Sequence, residues 1–205
     1  MSKKSRLIAL EGIDGSGTTT QARLLANSLA KEGFKVFKSA EPTASPIGLF
    51  IRDRLSEKAE EKEIFWAMLA LSFAADRMYH LHSIVEKALK ENDFVILDRY
   101  VLSSLVYQGL HLPRSFVENI NRYAIKPDLT FVLDVLETTA SKRLEVRKST
   151  TDFYEHKDML KICRNRYLAE AHADDKNIIL VDGNGDEQNV LDHLRNVLKY
   201  HWPEV

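Results

Sequence analysis

The chain has 205 residues, of which 44% are hydrophobic and 29% charged, and its net charge is −1. This length is sufficient for one buried core, so we expect a single domain over residues 1–205. The even charge balance excludes a protein that depends on a strongly basic surface, so we expect no nucleic-acid partner.

The single cysteine and the length of the apolar runs indicate in which cellular compartment the protein resides. The single cysteine, Cys163, excludes an internal disulfide, and this pattern is typical of reducing surroundings. The longest apolar run, residues 65–75, is too short to cross a bilayer. Residues 2–6 lead into only four apolar residues, unlike a signal peptide. We therefore expect a cytoplasmic protein with no membrane partner.

Short apolar segments alternate with longer helical patterns along the chain. Residues 7–10, 34–38, 94–97, 129–133 and 178–181 predict strands. Most lack polar alternation, as strands buried on both faces of a parallel sheet do, whereas 34–38 alternates apolar and basic residues and suits an edge. Helical patterns cover 17–31, 64–89, 137–148, 154–172 and 187–199. Together they predict a three-layer α/β sandwich with a five-stranded parallel sheet, whose ligands bind at the carboxyl ends of the strands.

A glycine-rich turn follows the first predicted strand. Residues 12–19 read Gly-Ile-Asp-Gly-Ser-Gly-Thr-Thr and open the first predicted helix, which is the context of a phosphate-binding P-loop. Glycines let the backbone amides converge on phosphate oxygens, and the helix N-terminus favours negative charge. Thr19 occupies the position whose hydroxyl normally binds Mg²⁺. The plain alternative is an ordinary glycine-rich turn at the start of a helix.

One position of this loop departs from the P-loop pattern. The lysine that normally precedes the metal-binding hydroxyl is replaced by Thr18. Threonine supplies no positive charge to the phosphates. If the protein is an efficient kinase, a cation from elsewhere in the chain must therefore neutralise the transferred group.

Further short motifs follow the loop in a recognisable order. They are Glu-Pro-Thr at 41–43, Phe-Ala-Ala-Asp-Arg at 73–77, Asp-Arg-Tyr at 98–100 and Tyr-Gln-Gly at 107–109. With residues 12–17, they make the whole chain resemble thymidylate kinases of the bacterial or archaeal type. The resemblance implies a P-loop NTPase fold. It also implies ATP- and Mg²⁺-dependent phosphorylation of dTMP to dTDP for dTTP synthesis.

The resemblance assigns expected roles to individual residues. The expected ATP-binding residues are Gly12, Asp14, Gly15, Ser16, Gly17, Thr18, Thr19, Thr20, Arg143, Arg147 and Lys148. The expected dTMP-binding residues are Glu41, Pro42, Arg52, Phe73, Arg77, Arg99, Ser104, Tyr107 and Gln108. Thr19 and Asp98 are expected to hold Mg²⁺. The expected catalytic residues are Asp14, Arg99, Arg143 and Arg147.

The pair Phe73 and Arg77 favours a pyrimidine acceptor. The two residues are four positions apart on a predicted helix and therefore share a face. An aromatic ring beside a guanidinium suits a base that stacks and offers a carbonyl oxygen. Core packing of Phe73 and a salt bridge for Arg77 are the plain alternatives, and Gln108 fits a surface amide as well as a base contact.

The candidate replacements for the loop lysine lie at the end of helix 137–148. Arg143 and Arg147 share a helix face, and Lys148 begins a polar run. By resemblance, a small mobile lid around residues 143–155 closes over ATP and carries these cations. A solvated helix end is the plain alternative. Phe153 and Ala40 stand where many bacterial members have arginine, so the lid and the segment before Glu41 also depart from the familiar pattern.

Helix 64–89 is apolar on more than one side. By resemblance it forms a homodimer interface, whereas burial within one chain is the alternative.

Two functions other than dTMP phosphorylation stay open. One is a kinase for another nucleotide or nucleoside, and the other is a nucleotide-binding regulatory protein made inactive by Thr18.

Overall fold

The computed structural model describes residues 5–56, 62–147, 157–174 and 176–205. Its strands form one parallel sheet in the order β2-β3-β1-β4-β5, which confirms the predicted five-stranded sheet. The strands are β1 Arg6–Gly12, β2 Val36–Ala40, β3 Phe94–Asp98, β4 Leu129–Asp134 and β5 Ile178–Asp182. Because β1 lies at the centre, the glycine loop emerges in the middle of the carboxyl edge of the sheet.

The helices of the described residues connect these strands and cover the sheet. They are α1 Thr18–Lys31, α2 Pro46–Ser56, α3 Glu63–His80, α4 Glu86–Glu91, α5 Val101–Tyr107, α6 Arg114–Ile120, α7 Glu137–Arg147, α8 Lys157–Ala173 and α9 Glu187–His201. A 3₁₀ turn, Gln108–Leu110, follows α5. Within the described ranges, no helix is both long and apolar enough to cross a membrane.

The side chains of β1 pack alternately against two helical layers. Ile8 lies in a buried cluster with Leu25 of α1 and Leu194 of α9. Leu7 points to the opposite face and lies in a cluster with Val85, which follows α3. Burying each such side chain stabilises the fold by about 1.5–3 kcal/mol. The predicted three-layer sandwich is therefore confirmed.

The predicted helix over 64–89 is divided in the structure. α3 ends at His80, a π-helical turn spans Leu81–Val85, and α4 follows to Glu91. A π turn adds a residue to the helical repeat and so rotates the buried face. Leu81 and Val85, at the two ends of this turn, both pack against the sheet. The sequence pattern, apolar on several sides, does not reveal this rotation.

Smaller differences concern the ends of elements. β2 begins at Val36, two residues later than predicted, and it lies at the predicted edge of the sheet. α1 ends before Gly33, which has a left-handed φ of +91°. Of the predicted lid, residues 143–147 form the end of α7, and 148–155 lie outside the described residues. Cys163 is fully buried, and burial raises its pKa to about 12.

Candidate functional site

The loop between β1 and α1 depends on glycine where α7 approaches it. Gly15 has a φ of +79°, and a Cβ atom at this position would lie 2.6 Å from the backbone oxygen of Ala140 on α7. A side chain would therefore push α7 away from the loop. Gly17, with a φ of +96°, is the N-cap of α1. The first N–H groups of a helix lack partners within the helix and are available to anions.

Three cavities meet at this loop. The loop cavity, of about 130 Å³, is lined by Asp14, Gly15, Gly17, Thr18, Thr19, Arg99 and Leu144. The α7–α9 cavity, of about 650 Å³, shares Gly15 and Gly17 with it. The α3–α5 cavity, of about 550 Å³, shares Asp14, Thr19 and Arg99 with it. The loop cavity thus connects two larger cavities, each of a size suitable for a small molecule.

The α3–α5 cavity brings together every residue predicted to bind dTMP. Its walls include Glu41, Pro42, Arg52, Phe73, Arg77, Arg99, Ser104, Tyr107 and Gln108. They come from the segment after β2, from α2 and α3, and from the chain after β3. These elements converge because β2 and β3 are parallel neighbours that end at the same edge. The individual roles stay predictions.

Arg77 is held by hydrogen bonds along the wall of this cavity. It is 1% exposed, and its Nε donates to Oε2 of Glu41 at 2.8 Å. Nη1 donates to Ser104 Oγ at 3.2 Å and to Asn121 Oδ1, and Nη2 donates to the Tyr100 carbonyl at 3.1 Å. These bonds engage four of its five N–H groups. The alternative of a salt bridge for Arg77 is therefore confirmed, since most of its N–H groups are used within the protein. Arg77 nevertheless lines the cavity.

Helix α3 also fixes the segment after β2. His80 Nδ1 lies 3.0 Å from Oε1 of Glu41, and its Nε2 lies 2.7 Å from Ser39 Oγ. Asp76 accepts hydrogen bonds from the backbone N–H of Thr43 at 2.7 Å and from its hydroxyl at 2.6 Å. No role was predicted for His80 or Asp76 from the sequence. Their signal was available, since both are polar residues within a strongly apolar helical segment.

Arg99 lies between the α3–α5 cavity and the loop cavity. Its Nη2 donates to Oδ1 of Asp14 at 2.5 Å, and its Nη1 donates to the Gly12 carbonyl at 2.9 Å. Among the described residues it is the one non-glycine residue with a left-handed φ, of 68°. Such a conformation costs on the order of 1 kcal/mol. It turns the chain from β3 into α5 and directs the guanidinium into the site.

A carboxylate that the sequence analysis missed lies beneath Arg99. Glu11 on β1 is fully buried. Its Oε1 accepts from the backbone N–H of Tyr100 at 2.9 Å and of Ser103 at 3.2 Å, and its Oε2 accepts from Ser103 Oγ at 2.5 Å and Tyr167 Oη at 3.2 Å. Burial raises the pKa of Glu11, whereas the Ser103 hydrogen bond and the charge of Arg99 act against this rise. The available signal was an acid at the end of a buried strand.

The two predicted metal ligands are in contact. Thr19 Oγ1 donates to Oδ2 of Asp98 at 2.6 Å. The other carboxylate oxygen, Oδ1, is buried and has no hydrogen-bond partner among the described residues. A hydroxyl and a buried carboxylate oxygen are hard oxygen ligands of the kind that Mg²⁺ prefers. The residues present therefore fit a Mg²⁺ site beside the loop.

Of the predicted lid cations, Arg143 is the one whose side chain the structure describes. Arg143 donates from Nη1 to the carbonyls of Gly15 and Ser16, both at 3.4 Å, and from Nη2 to that of Gly183 at 3.0 Å. It lines the α7–α9 cavity, and the cation that lines the loop cavity in the described chain is Arg99. Arg147 is the last residue of α7, and Lys148 lies outside the described residues. Thr18 is buried and lines the loop cavity.

Comparison with known proteins gives a consistent result. The thymidylate kinase family model matches residues 10–194. A probable thymidylate kinase of Methanocaldococcus jannaschii is 42% identical over 85% of this chain and 85% of its own. Probable thymidylate kinases of Methanosphaera stadtmanae and Caldivirga maquilingensis are 37% and 35% identical over 94% of this chain, and 97% and 92% of theirs. Since the match covers the loop, the sheet and both helical layers, this protein belongs to the thymidylate kinase family.

Proposed function

We propose that the protein transfers the terminal phosphoryl group of ATP to dTMP and so produces dTDP. The observation that carries this proposal is the order of the three cavities. The loop cavity joins the α7–α9 and α3–α5 cavities, and Asp14, Thr19 and Arg99 lie where it meets the latter. Direct transfer requires donor and acceptor phosphates to meet in line among charge-neutralising groups.

The chemistry of the α3–α5 cavity suits thymine. The buried Oε1 atom of Gln108 has no hydrogen-bond partner among the described residues, so it can accept the N3–H of thymine. Within the described chain Arg77 has one N–H group left for a base carbonyl, and we propose that Phe73, which lines the cavity, stacks on the base. Cytosine presents an acceptor at N3 and an amine at C4. Cytosine would therefore leave both the Gln108 oxygen and the Arg77 N–H group without a hydrogen-bond partner, which is costly in a buried site.

The residues at the junction position phosphates and bring positive charge to them. We propose that Arg99 donates to the acceptor phosphate, while Asp14, which accepts its hydrogen bond, holds the guanidinium. Thr19 and Asp98 are the residues that would hold Mg²⁺, which supplies charge neutralisation on the transferred group. No strong general base is required, because a phosphate monoester is already largely ionised near neutral pH.

Arg147 is our proposed replacement for the charge that Thr18 lacks. The loop cavity is lined by Leu144 of α7, and Arg147 follows it by three residues, a spacing that places both on neighbouring parts of the helix surface. Arg143 engages three backbone carbonyls. We assign it to holding α7 against the loop and to lining the ATP base site, so its part in catalysis is indirect.

We also propose a homodimer formed through α3. Ile64, Leu71 and Tyr79 on this helix are 72%, 50% and 50% exposed. Their spacing of seven and eight residues places them along one stripe of the helix. The opposite face of α3 carries Arg77 and Asp76 into the site. Covering the exposed stripe with a second copy would remove apolar surface from water.

A coupled assay tests the proposed function. The purified protein is given ATP and Mg²⁺ with dTMP, dUMP, thymidine, CMP or AMP as acceptor. We expect the highest kcat/KM with dTMP. Preferred turnover of thymidine, CMP or AMP would replace the proposal by another kinase activity. Binding of ATP and dTMP with no turnover would support an inactive regulatory protein instead.

A further inference from the structure

The carboxylate of Glu11 controls the hydroxyl groups that contact Arg99. Arg99 Nη1 lies 3.3 Å from Ser103 Oγ and 3.5 Å from Tyr167 Oη. Both hydroxyls also lie within hydrogen-bond distance of Glu11 Oε2, at 2.5 and 3.2 Å. Each hydroxyl has one proton to donate. When that proton points to the carboxylate, the oxygen lone pairs are left to face the guanidinium.

The same carboxylate holds the backbone that carries Arg99. Its Oε1 accepts from the N–H groups of Tyr100 and Ser103, which are the residue after Arg99 and a residue in the first turn of α5. Arg99 itself has the left-handed φ of 68°. Two hydrogen bonds donated by the backbone to the buried carboxylate therefore fix the turn that directs the arginine side chain towards the site.

We infer that Glu11 is a positioning residue that fixes Arg99 for contact with the phosphate of the acceptor nucleotide. The carboxylate acts through Ser103, Tyr167 and the backbone at Tyr100. Its own role does not require contact with substrate. The assignment of the acceptor phosphate to Arg99 rests on the proposed function, whereas the link between Glu11 and Arg99 rests on the hydrogen bonds alone.

The substitution Glu11→Gln tests the charge without changing the shape. The new amide keeps one acceptor oxygen for the backbone N–H groups, but its nitrogen donates to the hydroxyls and turns their protons towards Arg99. Because thymidine lacks the phosphate, we expect its Kd to stay within about twofold, while the Kd for dTMP rises about tenfold or more, as for loss of a charge-assisted contact. Calorimetry measures both constants. Unchanged dTMP affinity, or a parallel loss for thymidine, would overturn the inference.

Asp128→Asn is the matched control. Asp128 Oδ2 accepts from the backbone N–H of Leu7 at 2.8 Å, at the opposite end of β1. The change removes the same charge from a carboxylate that supports the same strand, far from Arg99. It should leave the ratio of the dTMP and thymidine dissociation constants unchanged. An equal change in that ratio would show that loss of any carboxylate along β1 weakens dTMP binding, so the effect would not be specific to Glu11.

An NMR measurement tests the link between Glu11 and Arg99 without depending on the proposed reaction. The ¹⁵N-labelled guanidinium of a restrained arginine gives separate Nη signals, and a freely rotating one gives averaged signals. We expect separate Arg99 signals in the wild type and faster exchange between them in Glu11→Gln and in Tyr167→Phe, in which Asp14 and Gly12 still hold part of the guanidinium. The Tyr167 variant leaves the carboxylate in place and serves if Glu11→Gln does not fold. Unaltered Arg99 signals in the variants would refute the link. A wild type that does not prefer dTMP to thymidine would instead refute the proposed function.

Discussion

The hydroxyl of Thr19 donates a 2.6 Å hydrogen bond to Oδ2 of Asp98. Thr19 lies in the first turn of α1 and Asp98 is the last residue of β3. Since β1 and β3 are parallel neighbours, this bond joins the loop after β1 to the carboxyl end of the adjacent strand. It places a hydroxyl and a carboxylate on the wall of the α3–α5 cavity beside the loop.

Asp98→Asn should separate metal binding from acceptor binding. The amide oxygen can still accept from Thr19, so the fold should be retained, but the charge that favours Mg²⁺ is lost. We expect kcat to fall on the order of 10²–10³-fold, in the range of losing one electrostatic contribution to the transition state. The Kd for dTMP without ATP should not change. Turnover measured across a Mg²⁺ titration checks this, and a kcat near that of the wild type would exclude Asp98 as a ligand.

Arg147→Ala and Arg143→Ala should have different effects. Loss of Arg147 should lower kcat by about tenfold or more, as for a cation acting on the transferred group, with little change in the Kd for dTMP. Loss of Arg143 removes hydrogen bonds to two loop carbonyls and to the Gly183 carbonyl after β5, so it should mainly raise the KM for ATP. Steady-state kinetics with each substrate varied separates the two.

Restoring the loop lysine provides the control for that comparison. If Arg147 replaces the lysine, Arg147→Ala should cost less in a Thr18→Lys background than in the wild type, because the two cations serve the same phosphates. Additive losses in the double variant would show that Arg147 acts elsewhere.

Gln108→Leu should weaken dTMP binding without weakening the fold. The Oε1 atom of Gln108 is buried without a partner in the described chain, so removing it relieves a desolvation cost of about 1–3 kcal/mol. We expect the free energy of unfolding to stay equal or rise, while the Kd for dTMP increases about tenfold through loss of a buried hydrogen bond. Urea unfolding and calorimetry measure the two quantities. Lower stability with unchanged dTMP affinity would place the side chain in the core.

The parts of the site that were predictable are local in the sequence. The glycine loop is one contiguous segment, and Asp98 and Arg99 follow a strand that reads plainly as buried. The links between elements were not predictable. Glu11 and Tyr167 are 156 residues apart, and no periodicity in either segment indicates that they meet.

The same limit applies to individual side chains. Arg77 was predicted to bind dTMP, but its four partners in the structure come from distant segments and decide how many donors remain for a ligand. Arg143 was grouped with Arg147 by helical spacing. Its actual partners are carbonyls whose direction depends on backbone torsions that the sequence does not specify.

Leu71→Glu should disrupt the proposed homodimer. Leu71 is half exposed on the apolar stripe of α3, so a charge there costs little in a single chain but would be buried in an interface. We expect the wild type to sediment as a species of twice the 23.5 kDa chain mass and the variant as a single chain. Val146→Glu, on an apolar residue of α7 that is more exposed than Leu71, is the control. A wild type that sediments as one chain would contradict the proposal.

His111 should make the fold sensitive to acid. Its ring stacks on Trp66 with centroids 3.6 Å apart and planes 3° from parallel. Burial, and then the charge of Arg166, lower its pKa from the ordinary value of 6.5. Between the lowered pKa and 6.5 the unfolded chain binds more protons than the folded one. The free energy of unfolding therefore rises with pH across this window. This stabilisation is lost as the pH falls through the window.

His111→Phe isolates that contribution, because phenylalanine keeps the stacking on Trp66 but cannot bind a proton. Urea unfolding at several values between about pH 5 and pH 8 should show a shallower acid slope in the variant than in the wild type. His172→Gln, at an exposed position of α8, should leave the slope unchanged. Identical slopes for the wild type and His111→Phe would mean that His111 has the same pKa in the folded and unfolded chains. The acid sensitivity would then have to come from other groups.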